Sequence, residues 1–257
     1  MADPAFQVLP ITGVPMVQAG DDLGEILLQA ITDADVTLVD GDVLCVAQKV
    51  VSKAEHRLLD LADITAGAEA IALAAETDKD PRLVELILQE STEVLRKRVG
   101  VLIVRHKLGL VGAHAGIDQS NVEHGDGERA LLLPEDPDAS ARNLRDAILA
   151  RTGTRTGVII TDSHNRPWRM GTIGAAIGCA GITVLEDHRG GTDSYGRELK
   201  VTLINRADAL AAAATLAMGE TTEQIPLVLI RGLPAEEVDA AQSAAAINRP
   251  LEEDLFR

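Results

Sequence analysis

Two aspartates far apart in the chain each end an apolar run: Asp118 in AHAGIDQSN and Asp162 in GVIITDS. A carboxylate at the C-terminal end of a strand faces the edge where open α/β sheets bind ligands. Two such carboxylates suit a magnesium or manganese ion, which takes oxygen ligands and bridges to phosphate. Ser163 adds a hydroxyl of the same ligand chemistry, and Asn121 follows Asp118 by three residues. A purely local reading competes, because Asp, Asn and Ser also start turns by bonding their own backbone. Lys49 and Lys53, in AQKVVSKAE, stand four apart after another apolar run, placed to meet phosphate oxygens or to solvate a surface. Glu220, in LAMGETTEQIP, follows an Ala-rich segment with Gly219 as its C-cap, and reads as a site acid or a solvated turn.

The one tryptophan, Trp168, lies between Arg166 and Arg169 just after Asp162. Arginines there suit a carboxylate or phosphate, and an indole stacks on a flat ring. A Trp also plugs interfaces well, and the residues alone leave both uses open. The six histidines are scattered with no zinc spacing, and His114 is the one read as close to a candidate carboxylate, Asp118. Cys45 and Cys179 each sit inside an apolar run and read as buried thiols of a reducing cytoplasm. The chain has no GxxxxGK[ST], no GxGxxG after a strand, no HExxH, no paired CxxC and no GxSxG, so the common nucleotide and hydrolase motifs are not signalled.

The elements that must position these residues follow from 257 residues of 46% hydrophobic and only 2% aromatic content, which calls for a core of Ala, Val, Leu and Ile. With 24 Lys and Arg against 40 Asp and Glu, the formal charge is −16, which argues against nucleic acid or anionic membrane as partner. A polyphosphate in so acidic a chain needs local lysines, or divalent cations held by carboxylates. No apolar run reaches membrane-spanning length, and the N-terminus lacks a signal peptide's basic start and apolar stretch.

Apolar patterning and turn residues predict a strand in VLPITGVP, a helix capped by Asp21 or Asp22, and a strand at 42–47 followed by a polar segment. They predict helices over 65–76 and from Asp80-Pro81 through about Arg98, then two strands around a tight turn at Lys107–Gly109. Residues 119–140, rich in Asp, Glu, Gly and Pro, read as a mobile loop, before a helix ending at Gly153. Strands at 157–161, 182–186, 199–204 and 226–231, a helix at 206–218 and a C-terminal helix from about Pro234 complete the pattern. Hairpins interrupt the βαβ alternation, so the expected class is mixed α/β (α+β) in one domain spanning 1–257, not a doubly wound sheet.

Taken in order, LPITGVP, DGDVLCVAQKVVSKAE, AGIDQSN, VIITDSHNRPWRMGTIGAAIG, DSYGRELKVT, IPLVLIRG and EDLFR resemble the coenzyme F420 gamma-glutamyl ligase family nearly end to end. The resemblance is to the free-standing form, without the nitroreductase-like domain that some members carry. It implies a family-specific mixed α/β fold, a cytoplasmic homodimer, and addition of L-glutamate to the precursor F420-0 with GTP converted to GDP and phosphate. Two magnesium or manganese ions per site are implied, with potassium as a possible aid. By motif, Asp118 and Asp162 would ligate one metal, and Ser163 and Glu220 a second. Leu9, Pro10, Ile11, Thr12, Gln48, Lys49, Lys53 and Asn121 would contact nucleotide. So would Met218, Gly219, Glu220, Thr221, Thr222, Glu223, Gln224 and Ile225. Arg166, Trp168 and Arg169 would belong to the active site, with Asp118, Asp162, Arg166 and Arg169 as its catalytic set.

Three positions depart from the family pattern. Asn165 and His56 stand where glycine is usual or frequent, and Gly174 where an acidic residue is common. Asn165 is expected to keep a left-handed turn, His56 to alter the loop after Lys53. Beside the ligase reading stand a metal-dependent nucleotide phosphohydrolase or kinase, and a non-catalytic nucleotide- or deazaflavin-binding protein.

Overall fold

The computed structural model describes residues 5–165, 168–233 and 242–255. The chain opens with β1 (Gln7–Ile11), whose Pro10 is tolerated because β1 lies at a sheet edge. Helix α1 (Leu23–Asp33) starts at Asp22, whose carboxylate accepts from Glu25 N at 2.9 Å. The apolar run then forms β2 (Val43–Ala47), and the polar two-lysine segment leaves it directly as a short helix, α2 (Gln48–Ala54). β3 (Leu58–Asp60), α3 (Ala68–Thr77) and α4 (Pro81–Gln89) follow, then β4 (Ser91–Arg98), β5 (Val101–His106), β6 (Val111–Ala113) and β7 (Arg129–Leu131). Next come α5 (Pro137–Thr152), β8 (Gly157–Asn165), β9 (Thr172–Ala180), β10 (Leu185–Asp187), β11 (Leu203–Asn205), α6 (Arg206–Met218) and β12 (Leu227–Arg231).

The main sheet has the order β1-β12-β2-β8-β9, with β2 and β8 its parallel pair and the other neighbours antiparallel. Side-chain alternation divides its strands between two cores. Leu44, Val46, Val158 and Ile160 join residues of α1 and α5 on one face. Val43, Cys45, Ile159 and Val228 join α6 on the other. A third core packs α3 and α4 against β5 and β7, beside the three-stranded sheet β4-β5-β6. Both thiols are free and buried, and burial pushes that of Cys45 up to about 12. Among the described residues, no helix is long and apolar enough to cross a membrane.

This is the mixed α/β architecture expected, but three local expectations need correction. The helix from Pro81 stops at Gln89, and Ser91–Arg98 is a strand. The Ser91 hydroxyl donates to Ile87 O and ends the helix, and hairpin pairing with β5 across the turn at Val99 and Gly100 overrides the helical propensity of LRKR. The segment 172–180, to which the apolar pattern assigns no element, is a strand despite its glycines. A Cβ at Gly178 would lie 2.2 Å from Pro137 O, and one at Gly174 2.3 Å from Ala211 O, so these glycines let α5 and α6 touch the strand's backbone. The presumed loop 119–140 contains β7, which pairs with β3 and bridges Asp118. Asn165 does not turn left-handed: it ends β8 opposite Thr172. The helix expected from Pro234 begins in residues 234–241, outside the described residues; within 242–255, Ala244–Ile247 forms a 3-10 turn.

His56 does what glycine would do there. Its φ of 60° is left-handed, and the turn closes with Arg57 N donating to Ser52 O at 2.9 Å. A Cβ at Gly174 would also meet Thr215 Oγ1 at 2.2 Å, so an acidic side chain has no room against α6.

Candidate active site

Where β2 and β8 run parallel, their C-terminal ends open onto a cavity of about 810 Å³. The end of β2 passes into α2, which brings Gln48, Lys49 and Lys53 to one wall. The end of β8 delivers Thr161, Asp162 and Ser163. Beyond α6, the turn Gly219–Ile225 forms the opposite wall, where Glu223 Oε2 accepts from Thr221 N at 2.8 Å. Asn121 and Glu123 close one side, and Val14 to Val17 another.

Asp118 is fixed from its backbone outward. Its N donates to Leu131 O at 2.9 Å, and Leu131 N donates to its carbonyl at 2.8 Å. Its carboxylate Oδ2 is paired with the Lys49 ammonium and accepts from Gln48 Nε2 at 2.9 Å. Gln48 in turn accepts from the Ser52 hydroxyl at 2.9 Å. The side-chain links to Asp118 come from α2, seventy residues earlier in the chain. Lys53 Nζ reaches Asn121 O at 3.4 Å, and Asn121 holds the left-handed φ of 55° that Asn tolerates.

A break in the β8–β9 register sits just before the acids. Ile160 pairs with Gly178 and Thr161 with Ala176, so Ile177 is left over as a bulge in β9. Past it, successive residues of β8 point to opposite faces. Ser163 lies near Glu220 and holds down its carboxyl, while Asp162 shares its face with His164, whose Nδ1 is 3.7 Å away.

The charges feel one another. Burial, then the nearby charge of Asp162, raises the Asp118 carboxyl above its ordinary range, with Lys49 and Gln48 opposing. Burial raises Glu220 as well; Ser163 opposes it, and repulsion from Asp162 and Asp118 adds to it. Lys53 is lowered by burial and by Lys49. Asp118, Asp162 and Glu220 are therefore a like-charge cluster beside two lysines. The all-oxygen donor set fits a hard divalent cation, and Lys49 occupies one cation position on Asp118. Among the described residues, no three acidic, histidine or cysteine side chains already stand at ligand spacing.

Of the residues singled out in the sequence, the cavity gathers Gln48, Lys49, Lys53, Asn121, Asp162, Ser163 and the whole of Met218–Ile225, with Asp118 bonded to its wall. Leu9 to Thr12 lie outside the lining; Ile11 is buried in the core, and the chain reaches the cavity at Val14 instead. Trp168 and Arg169 are also outside the lining. Trp168 is 82% exposed with a left-handed φ of 57°. Arg166 lies outside the described residues.

Sequence reasoning overlooked Val14–Val17, Glu123 and His164. The histidine beside a site acid is His164, not His114, whose ring is lowered in pKa by burial and Lys79. Strand alternation could have placed His164 on the face of Asp162, but its packing against Gly112 of another sheet is not visible in the sequence.

Residues 12–232 match the model of a family described as F420-0:Gamma-glutamyl ligase. The coenzyme F420:L-glutamate ligase of Archaeoglobus fulgidus is 44% identical over 251 residues, 98% of this chain and 96% of that one. The protein of the same name from Methanopyrus kandleri is 43% identical over 256 residues, covering 99% and 98% of the two chains. That of Methanothermobacter thermautotrophicus is 40% identical over 252 residues, covering 98% and 99%.

Proposed function

Because the chain belongs to the F420-0:gamma-glutamyl ligase family, we propose that it joins L-glutamate to the deazaflavin precursor F420-0 in a GTP-dependent reaction and then adds γ-linked glutamates. The observation that carries this is the meeting of two lysines and three carboxylates, from four separate stretches of chain, around one cavity.

A carboxylate is a poor acyl donor because its leaving group would be oxide. In the proposed sequence a carboxylate oxygen of the precursor attacks the γ-phosphorus of GTP, and the bond to the bridging oxygen breaks to release GDP. The amine of glutamate then attacks the acyl carbon of the mixed anhydride. Inorganic phosphate leaves with the bonding electrons, and the amine proton goes to solvent. Phosphoryl transfer of this kind asks the protein for alignment and charge neutralisation. Lys49 and Lys53 neutralise phosphate oxygens, and the turn Gly219–Ile225 with Val14–Val17 encloses the nucleotide. Asp118, Asp162, Ser163 and Glu220 would hold two magnesium or manganese ions, which supply positive charge to the phosphates. The lone Trp168, exposed beyond the cavity between Arg166 and Arg169, is assigned to the flat deazaflavin precursor. A homodimer is part of the same reading, and the two free thiols support a cytoplasmic protein.

Purified protein incubated with GTP, manganese, F420-0 and glutamate tests the reading by mass spectrometry of the product and by GDP release. A product heavier by one or more glutamyl residues, with GDP release that needs both precursor and glutamate, is expected. GDP release without either would make it a phosphohydrolase. Binding without turnover would make it a nucleotide- or deazaflavin-binding protein.

A further inference from the structure

We propose that His164 is a positioning residue for Asp162, wedged between that carboxylate and strand β6 of the neighbouring small sheet. Residues 162 and 164 leave the same face of β8, and His164 Nδ1 lies 3.7 Å from Asp162 Oδ2, just beyond hydrogen-bond distance. Both ring nitrogens are buried, and neither has a hydrogen-bond partner among the described residues. A polar ring buried this way costs free energy that an apolar ring of the same size would not, so its presence calls for a reason beyond filling space. On its other side the ring abuts Gly112 of β6, where a Cβ would lie 3.3 Å from Nε2. The backbone does not demand glycine there, because Gly112 is not left-handed. Its role is to leave room for the imidazole.

The ring is therefore held from behind by one sheet while it faces an acid carried by another. A carboxylate flanked in this way loses rotamers, and a shift of a few tenths of an ångström brings Nδ1 into hydrogen-bond range. Site groups whose orientation is fixed by such outer partners lose about 10–100-fold in metal affinity or activity when the partner is removed.

The assignment rests on reading Asp162 as a cation ligand, so the test includes that arm. Manganese binding to the full-length protein with GTP is measured by electron paramagnetic resonance, alongside GDP release and thermal melting. Asp162→Asn should abolish tight manganese binding. His164→Phe, which keeps the volume but not the nitrogens, should weaken manganese binding by about 10–100-fold while the protein still melts cooperatively. His164→Gln, which returns a polar terminus, should recover most of the loss. Gly112→Ala, which presses on the ring without touching the site, should weaken binding in wild type and have no effect in the His164→Ala background. That coupling is one a merely structural role would not produce.

If His164→Phe does not fold, the Gln variant and the Gly112 cycle decide alone. Wild-type manganese affinity and turnover in His164→Phe, with Asp162→Asn still defective, would overturn the assignment and leave the functional reading intact. Tight manganese binding in Asp162→Asn would refute the cation reading itself, and the role of His164 with it.

Discussion

The stretch 161–178 reads in the sequence as one motif, yet the fold splits it into two unlike regions. Residues 161–165 extend β8 into the cavity, and the Asp162 side chain keeps only 9% of its surface. A few residues later Trp168 is 82% exposed and Met170 fully so. The first region is braced by its own chain: the parallel strand β2, the bulge at Ile177, and His164 against β6. The second projects apolar surface into solvent, where a buried indole would otherwise contribute to a core. On the proposed reading, the groups that hold charge at fixed distances sit on a rigid strand end, whereas Trp168, assigned to the flat precursor, sits on the exposed segment beyond it.

This contrast can be broken from either side. The largest effect is expected from Asp162→Asn, which should lower turnover by on the order of 10²–10³-fold or more, comparable to removing one electrostatic stabiliser of a transition state. Circular dichroism should show an unchanged fold; unaltered turnover would remove Asp162 from the site. Gly174→Ala comes next, acting on stability. Its Cβ would lie 2.2 Å from Thr215 Oγ1 and 2.3 Å from Ala211 O. Forcing α6 off β9 should cost about 1–3 kcal/mol by denaturant titration, as overpacking does, and displace Glu220 at the helix end.

Trp168→Ala should leave stability within about 0.5 kcal/mol, as exposed positions do, while raising the KM for F420-0 several-fold, on the order of the 0.5–1.5 kcal/mol of an aromatic contact. If light scattering instead shows only a dispersed dimer with unchanged KM, that segment is an interface. The smallest effect sharpens the braced side. Glu220 has a raised folded pKa, so its protonated form is favoured on folding. The stability this gives is present below the ordinary carboxylate range and is lost as pH rises through the elevated value. Glu220→Gln mimics the protonated form. It should raise the Tm at pH 7 only slightly, because solvent screens a carboxyl this exposed, and the gain should vanish as pH falls below the ordinary range. An equal gain at both pH values would place the effect elsewhere than in charge repulsion.

Caps and periodicity made much of the fold legible. Asp22, Asp136 and Gly153 terminate helices as Asp and Gly do, and α6 spans the predicted 206–218. LRKR at 95–98 was misread because hairpin pairing with β5, across the turn at Val99 and Gly100, outweighs its helical propensity. The glycine-rich 172–180 carries no local signal of a strand, because its glycines answer to α5 and α6 packed on its backbone. Within the candidate site, Asp118, Asp162, Ser163, Glu220 and both lysines stood out by type and position. His164 did not, because what marks it is Gly112, fifty-two residues earlier and on another sheet.

The sequence by itself determined which residues carry charge and hydroxyl at the ends of apolar runs, because residue type and local period depend on neighbours a few positions away. Only the tertiary structure decided that Asp118 shares an oxygen with Lys49 and Gln48, that Ser163 meets Glu220, and that Trp168 stays outside the cavity. Those pairings depend on strand order and register, which are set by the burial of two sheet faces at once, and no short window of sequence contains both partners.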